Sequence, residues 1–120
     1  MEYYMLSKAI ELASKHDSLG KQRIYALITD KRGRIIAHAG NSYVKSHPTQ
    51  SKLAKDVELD ECIYLHAEIA CLIKVKQKLP KHSQIYIARV GSNGEPILAA
   101  PCPICQHALA LAGISRIYHT

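Results

Sequence analysis

The sequence predicts a single α/β domain in which helices cover a mixed β-sheet. Three observations support this fold class. Segments with helical and strand periodicity follow one another in the order α-β-β-α-β-α-β. The first two strands are joined by a tight turn, which makes them antiparallel, whereas the last two are joined through a helix, which requires a parallel, right-handed crossover. At 120 residues the chain has the commonest size of one domain, so we predict one domain over residues 1–120.

The first half of the chain predicts one helix and a β-hairpin. Apolar side chains recur every three or four positions over residues 2–16, which is the pattern of an amphipathic helix. "RIYALITD" is apolar and β-branched, as expected for a buried strand. "DKRG" then forms a turn in which Gly33 suits a positive φ, and "RIIAHAG" is the returning strand.

The second half predicts two helices and two strands after an irregular region at residues 41–60. A helix opens at "HAE" and runs to about Lys78, because Pro80 prevents its continuation. "SQIYIARV" is a strand and "PILAA" is short and extended. "CPICQHALALAG" forms the next helix, with Gly113 as its left-handed C-terminal cap, and "ISRIYHT" is the last strand.

Composition favours a cytoplasmic protein with anionic partners. The formal net charge is +6 and the pI is about 9.2, which suits anionic partners such as nucleotides or nucleic acid, although a simply solvated basic surface explains the charge equally well. Nucleic acid is less favoured, because the chain has no Trp or Phe for base stacking and its lysines are scattered. We expect no membrane span and no signal peptide. The four cysteines therefore indicate metal binding or catalysis rather than disulfides.

Two short motifs carry chemistry: "HAE" at residues 66–68 and "PCPIC" at residues 101–105. Cys102 and Cys105 are three residues apart on the first turn of a helix, so both sulfurs share one face. A helix N-terminus favours the thiolate form that binds metal. If His66, at the start of the preceding helix, meets them, one imidazole and two thiolates suit Zn²⁺. Three protein ligands leave a fourth position for water, which is the catalytic arrangement.

Glu68 is two residues from His66 and is not needed as a ligand, so it is the candidate general base. A carboxylate at this place can accept a proton from water and return it elsewhere. Alternatively, Glu68 is only a carboxylate that stabilises the N-terminus of its helix. His66, Cys102 and Cys105 could likewise be ordinary core residues, or could hold a closed structural zinc ion with Cys62 or Cys71 as the fourth ligand. Cys62 and Cys71 are more readily explained as small buried hydrophobic residues.

The pairing of "HAE" with "PCPIC" resembles the zinc-dependent cytidine and deoxycytidylate deaminase superfamily, in particular its short phage and bacterial members. The resemblance covers residues 23–120. It implies a three-layer α/β/α sandwich of the cytidine-deaminase type, truncated after the fourth strand, since the family usually continues with another helix and strand. It also implies Zn²⁺ on His66, Cys102 and Cys105, with Glu68 as the catalytic residue. The implied activity is hydrolytic deamination of a cytosine nucleotide or nucleoside, first of all deoxycytidylate, to the uracil form with release of ammonia.

The residues that contact the substrate are less clearly indicated by the sequence than the zinc ligands. The resemblance carries a sugar contact over to Asn41 and a contact between the base edge and the backbone of Ala67. Asn41 is otherwise a turn residue after Gly40. His47 lies in the irregular region and is a candidate phosphate contact, or else an exposed loop histidine. The alternative functions are deamination of cytosine or adenine within single-stranded DNA or RNA, deamination of a free purine, and a non-catalytic zinc-stabilised interaction module. Relatives are usually oligomers, so we expect a homo-oligomer.

Overall fold

A computed structural model describes residues 2–16, 23–41, 66–75, 78–91, 93–114 and 116–120. These residues form helices and strands in the predicted order, with one further short strand. In chain order the elements are α1 (Glu2–Lys15), β1 (Arg23–Thr29), β2 (Ile35–Gly40), α2 (Ala67–Lys74), β3 (Gln84–Val90), β4 (Pro96–Ile97), α3 (Pro103–Leu111) and β5 (Arg116–His119).

The strands form one mixed sheet in the order β2-β1-β3, with β4 and β5 both on the outer edge of β3. Strand β1 is antiparallel to both β2 and β3. Strand β5 runs parallel to the first half of β3, from Gln84 to Ile87. Strand β4 is antiparallel to the second half, at Arg89 and Val90. The predicted antiparallel hairpin and the predicted parallel crossover are therefore both confirmed.

Helices cover both faces of the sheet, so the three-layer α/β/α sandwich is confirmed. Helix α1 packs on β1, β3 and β5, whereas α2 packs on β1 and β2 and contacts α3. Alternate residues of the central strands serve the two layers. Leu27 and Tyr86 belong to the cluster beneath α1, while Ile28, Ile85 and Ile87 belong to the cluster beneath α2. Apolar residues on both faces explain why these strands lack a simple alternation of apolar and polar residues.

Two predicted boundaries need correction. The sheet does not stop at four strands, because Pro96 and Ile97 add β4 where the shorter β5 leaves the second half of β3 unpaired. A two-residue strand has no periodicity that a sequence pattern can show. Helix α2 ends at Lys74 rather than near Lys78, since Val75 is already extended (φ −82°, ψ 109°) and packs against the core cluster beneath α2.

The sheet places the starts of α2 and α3 at one end. Strands β2, β3 and β5 all run in the same direction, because β1 is antiparallel to its two neighbours and β5 is parallel to β3. A helix that connects two parallel strands runs back along the sheet, so it begins at their carboxyl ends. The peptide N–H of Ala99 donates to the carbonyl of Thr120 at 3.0 Å, which holds the approach to α3 beside the residue that follows β5. Ligand sites of α/β folds lie at this end of the strands.

The two glycines singled out from the sequence adopt the expected conformations. Gly33 has φ 85° in the turn between β1 and β2. Gly113 has φ 79° after α3, and its N–H donates to the carbonyl of Ala110. The N–H of Ile114 donates to the carbonyl of Leu109, which completes a Schellman cap.

Candidate metal centre and active site

Three side chains from two helix starts converge on one point. Nδ1 of His66 lies 3.3 Å from Sγ of Cys105 and 3.4 Å from Sγ of Cys102. All three atoms lie within 4.8 Å of one another. In the part of the chain that the structure describes, these residues form the one group of histidine, cysteine and acidic side chains arranged to hold a metal ion.

Local backbone geometry presents these side chains. His66 is the N-cap of α2 and Cys102 is the N-cap of α3, and both have extended backbone angles (φ −81°, ψ 152° and φ −71°, ψ 169°). Pro103 favours the start of α3, because its fixed φ suits the first helical position. Behind these three side chains, Ile69 and Ile104 are fully buried in one apolar cluster that joins the first turns of the two helices. The helix starts are therefore held together by packing.

The geometry fits a tetrahedral zinc ion. Bonds of about 2.3 Å to sulfur and about 2.0 Å to nitrogen place tetrahedral ligand atoms roughly 3.5 to 3.8 Å apart. The two nitrogen–sulfur distances, 3.3 and 3.4 Å, are close to this range. Cys71, by contrast, lies in the apolar core beneath α2, outside this group, and burial raises the pKa of its thiol to about 12. Cys62 lies outside the described residues.

The three side chains already stabilise a thiolate by themselves. Hydrogen bonding from the Cys105 thiol, helped by His66, lowers the pKa of Cys102 to about 4. The same hydrogen bond and burial raise the pKa of Cys105, which keeps its proton. Hydrogen bonding to the Cys102 sulfur raises the pKa of His66. Zinc binding releases such protons, because metal ligands must be deprotonated.

Glu68 is the buried acid of the site. It is the second residue of α2, only 5% of its surface is exposed, and its carboxyl group is hydrogen-bonded with the Cys105 thiol. Burial is the main reason that the pKa of this carboxyl is raised. A carboxyl group with a raised pKa beside metal ligands is suited to taking up and returning protons near neutral pH.

Asn41 lies at the carboxyl end of β2 and is nearly fully buried. Its peptide N–H donates to the carbonyl of Ile24, and the N–H of Ile24 donates to Oδ1 of Asn41, each at 3.0 Å. The side-chain oxygen thus replaces the main-chain oxygen in the β-ladder. Nε2–H of His16 donates to the main-chain oxygen of Asn41 at 2.7 Å. A Cβ at Gly40 would overlap the His16 ring, so the ring could not keep this position beside a larger residue.

His16 was not singled out from the sequence. It is 25 residues from Asn41, and no periodicity or spacing links residues of two different elements at that distance. Of the other predicted contacts, Ala67 is the buried first residue of α2, where a peptide N–H stands outside the intrahelical hydrogen bonds. His47 lies outside the described residues. The substrate roles of Asn41, Ala67 and His47 stay predictions.

A three-layer sandwich with one histidine and two cysteines at adjacent helix starts defines the class of zinc-dependent deaminases. The chain belongs to the family described as "Cytidine and deoxycytidylate deaminase zinc-binding region", which matches residues 1–120. Its metal cofactor is zinc.

The same fold occurs in solved structures. RibD of Acinetobacter baumannii, in its form 2, superposes with a TM-score of 0.58 over 99% of this chain at 16% identity. The chain spans 27% of the length of that protein, so the likeness concerns the fold alone. No curated protein sequence matches significantly. None of the described helices is long and apolar enough to cross a membrane. The cytoplasmic location and the homo-oligomer stay predictions.

The different pKa values of the Cys102 and Cys71 thiols predict selective alkylation. After chelator treatment, iodoacetamide at pH 6 should modify Cys102, which is partly accessible. The pKa of this thiol is about 4, so it is a reactive thiolate at that pH. Cys71 should stay unmodified, because it is fully buried and its pKa is about 12. Zinc should protect Cys102. Peptide mass spectrometry measures both sites, and equal modification of Cys102 with and without zinc would contradict its role as a ligand.

Proposed function

We propose that the chain is a hydrolytic zinc-dependent deaminase that converts a cytosine nucleotide or nucleoside, with deoxycytidylate as first choice, to the uracil form and ammonia. The observation that carries this proposal is the buried carboxyl of Glu68 in contact with Cys105, two residues along the chain from His66. A purely structural zinc site needs no acid at this position.

A zinc ion on His66, Cys102 and Cys105 would supply an open coordination position and lower the pKa of water there from 15.7 to about 7. Glu68 then transfers protons between the water, the ring and the leaving amine. Its carboxylate accepts a proton from the attacking water and delivers it to N3 of the ring, which makes C4 more electrophilic. Once the oxygen is bonded to C4, the carboxylate takes the remaining hydroxyl proton and passes it to the exocyclic amine. The C4–N bond then breaks, C4 keeps the oxygen as a carbonyl, and the nitrogen leaves as ammonia and not as an amide ion.

Other residues of the chain would orient the substrate. The positive dipole ends at the starts of α2 and α3 would stabilise Cys102 and Cys105 as thiolates once zinc is bound. We propose that the peptide N–H of Ala67 meets the base edge, that Asn41 meets the sugar, and that His47 contacts a phosphate. The net charge of +6 supports a phosphorylated substrate over a neutral nucleoside.

Deamination of a base within DNA or RNA is supported less well. A flipped base is normally stacked between aromatic side chains. Among the described residues, Tyr86 and Tyr118 stack on each other at 5.0 Å, in the cluster beneath α1 on the opposite face of the sheet from α2. Nothing in the described part of the chain favours deamination of a free purine or a non-catalytic interaction module.

A substrate screen tests the proposal. The zinc-loaded protein is incubated separately with deoxycytidylate, cytidylate, their nucleosides, cytosine, adenine, guanine and single-stranded DNA. Ammonia release and the mass of the product are followed in each case. We expect the highest kcat/KM with deoxycytidylate and formation of deoxyuridylate. Turnover of a purine or of single-stranded DNA alone, or of no compound by fully zinc-loaded protein, would refute the proposal.

A further inference from the structure

Arg89 is a charged residue in the most buried strand of the sheet. It lies near the carboxyl end of β3, the end at which α2 and α3 begin. In the register it faces Ile24 of β1, which packs against the cluster beneath α2. The same alternation places Ile85 and Ile87 in that cluster. The side chain of Arg89 therefore stands on the sheet face that carries the metal centre, and not on the face covered by α1.

The guanidinium group of Arg89 is poorly satisfied by protein atoms. Its Nε is buried and has no hydrogen-bond partner among the described residues. Nη1 donates to the carbonyl of Leu98 at 3.5 Å, which is a long contact. The ion pairs of the described residues, Lys15 with Glu11 and Arg34 with Asp30, do not include it. An arginine that covers apolar surface normally keeps its polar atoms in water or in hydrogen bonds, so a buried Nε that has no partner among the described residues is available to an anionic ligand.

The backbone around Arg89 is firmly held. Its N–H donates to the hydroxyl of Thr120 at 3.1 Å, and that hydroxyl donates to the carbonyl of Ile97 at 2.6 Å. The carbonyl of Thr120 accepts from Ala99, three residues before the ligand Cys102. Thr120 thus connects the backbone of Arg89 to the segment that leads into the metal centre. A fixed backbone limits the positions that the guanidinium group can take, which lowers the conformational entropy lost when a ligand binds.

Arg89 and Asn41 also lie in one row across the sheet. Ile24 is paired with Arg89 on one side and hydrogen-bonded to Asn41 on the other. With strands about 4.8 Å apart, the backbones of Asn41 and Arg89 are separated by roughly 10 Å. Both residues stand at the carboxyl ends of their strands. A ligand that meets Asn41 through its sugar can therefore extend along this row towards Arg89.

From this arrangement we infer that Arg89 binds the phosphate group of a nucleoside monophosphate substrate and makes the enzyme selective for the nucleotide over the nucleoside. Nε and a terminal nitrogen of the planar guanidinium group can donate to two phosphate oxygens. Phosphate would also supply the negative charge for Arg89, which forms no ion pair with the described residues. The inference rests on the proposed function, because it takes a cytosine nucleotide as the substrate of this metal centre.

The test compares deoxycytidylate with deoxycytidine in the wild-type protein and in Arg89→Gln. Losing charge-assisted hydrogen bonds should lower kcat/KM for deoxycytidylate by about 10- to 100-fold, mainly through a higher KM. The value for deoxycytidine should change less than about threefold, and zinc content should stay the same. Arg116→Gln is the matched control, because Arg116 is an exposed arginine at the amino end of β5, the opposite end of the sheet. It should change neither value.

Two further measurements keep the outcome decisive. Arg89→Lys retains a charge but loses the fork, so it should give an intermediate loss, and it replaces Arg89→Gln if that variant fails to fold. Titration of the zinc-loaded proteins with inorganic phosphate, followed by thermal shift, reports anion binding without turnover. Phosphate stabilisation that depends on Arg89, in a protein that deaminates no cytosine compound, would sink the proposed function and leave the anion site. An equal loss for both substrates, or equal phosphate stabilisation of wild type and Arg89→Gln, would overturn the role of Arg89.

Discussion

Replacing Glu68 by Gln should lower kcat by a factor of about 10² to 10⁴ while zinc remains bound. The amide is nearly isosteric with the carboxyl group, so the packing at the start of α2 is retained. It cannot take a proton from water or hand one to the ring and the leaving amine, which are the steps assigned to Glu68. Ammonia release gives the rate, and elemental analysis of the same sample gives the zinc content.

The control for this experiment is Glu95→Gln, since Glu95 is an exposed carboxylate that follows the turn after β3. It removes the same charge and should leave the rate unchanged. Retained turnover in Glu68→Gln would show that another group moves the protons. Loss of zinc together with activity would instead make Glu68 a structural support of the ligands, since its carboxyl is hydrogen-bonded with the Cys105 thiol.

The metal centre could be predicted from the sequence because its determinants are local. Two cysteines three residues apart at the start of an apolar helix must share a face, and "HAE" at the start of another helix supplies a histidine and an acid. The meeting of the two motifs follows from the order of the elements, because connections between parallel strands bring both helix starts to the same end of the sheet. The structure brings His66, Cys102 and Cys105 together within 4.8 Å.

The surroundings of the centre could not be predicted, because they depend on strand register. Nothing near Asn41 in the chain indicates that His16 binds its carbonyl or that Gly40 makes room for that ring. For Arg89 the sequence gives one weak indication, which is a charged residue near the carboxyl end of the otherwise apolar strand "IYIARV". Its significance depends on facing Ile24, and a shift of one residue would have sent it to the opposite face.

Replacing Cys105 by Ser should remove zinc from the protein and cause the largest loss of stability that we predict. Hydroxyl is a poor substitute for thiolate as a zinc ligand, so two protein ligands would remain. A ligand at 1,000 times its Kd stabilises the folded state by about 4 kcal/mol, and this contribution would disappear in zinc-containing buffer. The measurements are zinc content per chain and the free energy of unfolding in urea, each with and without chelator.

Cys71→Ser separates the metal from the substitution itself. Cys71 and Cys105 are both fully buried, so each variant places a hydroxyl in the interior of the protein. At Cys71, in the apolar cluster beneath α2, this should cost about 1 to 3 kcal/mol. Cys71 lies outside the ligand group, so that variant should keep its zinc and should still lose stability when chelator is added. Cys105→Ser should be insensitive to chelator. Because only the metal contribution responds to chelator, a Cys105→Ser protein that retains one zinc, or a Cys71→Ser protein that loses it, would show that the ligand set is wrong.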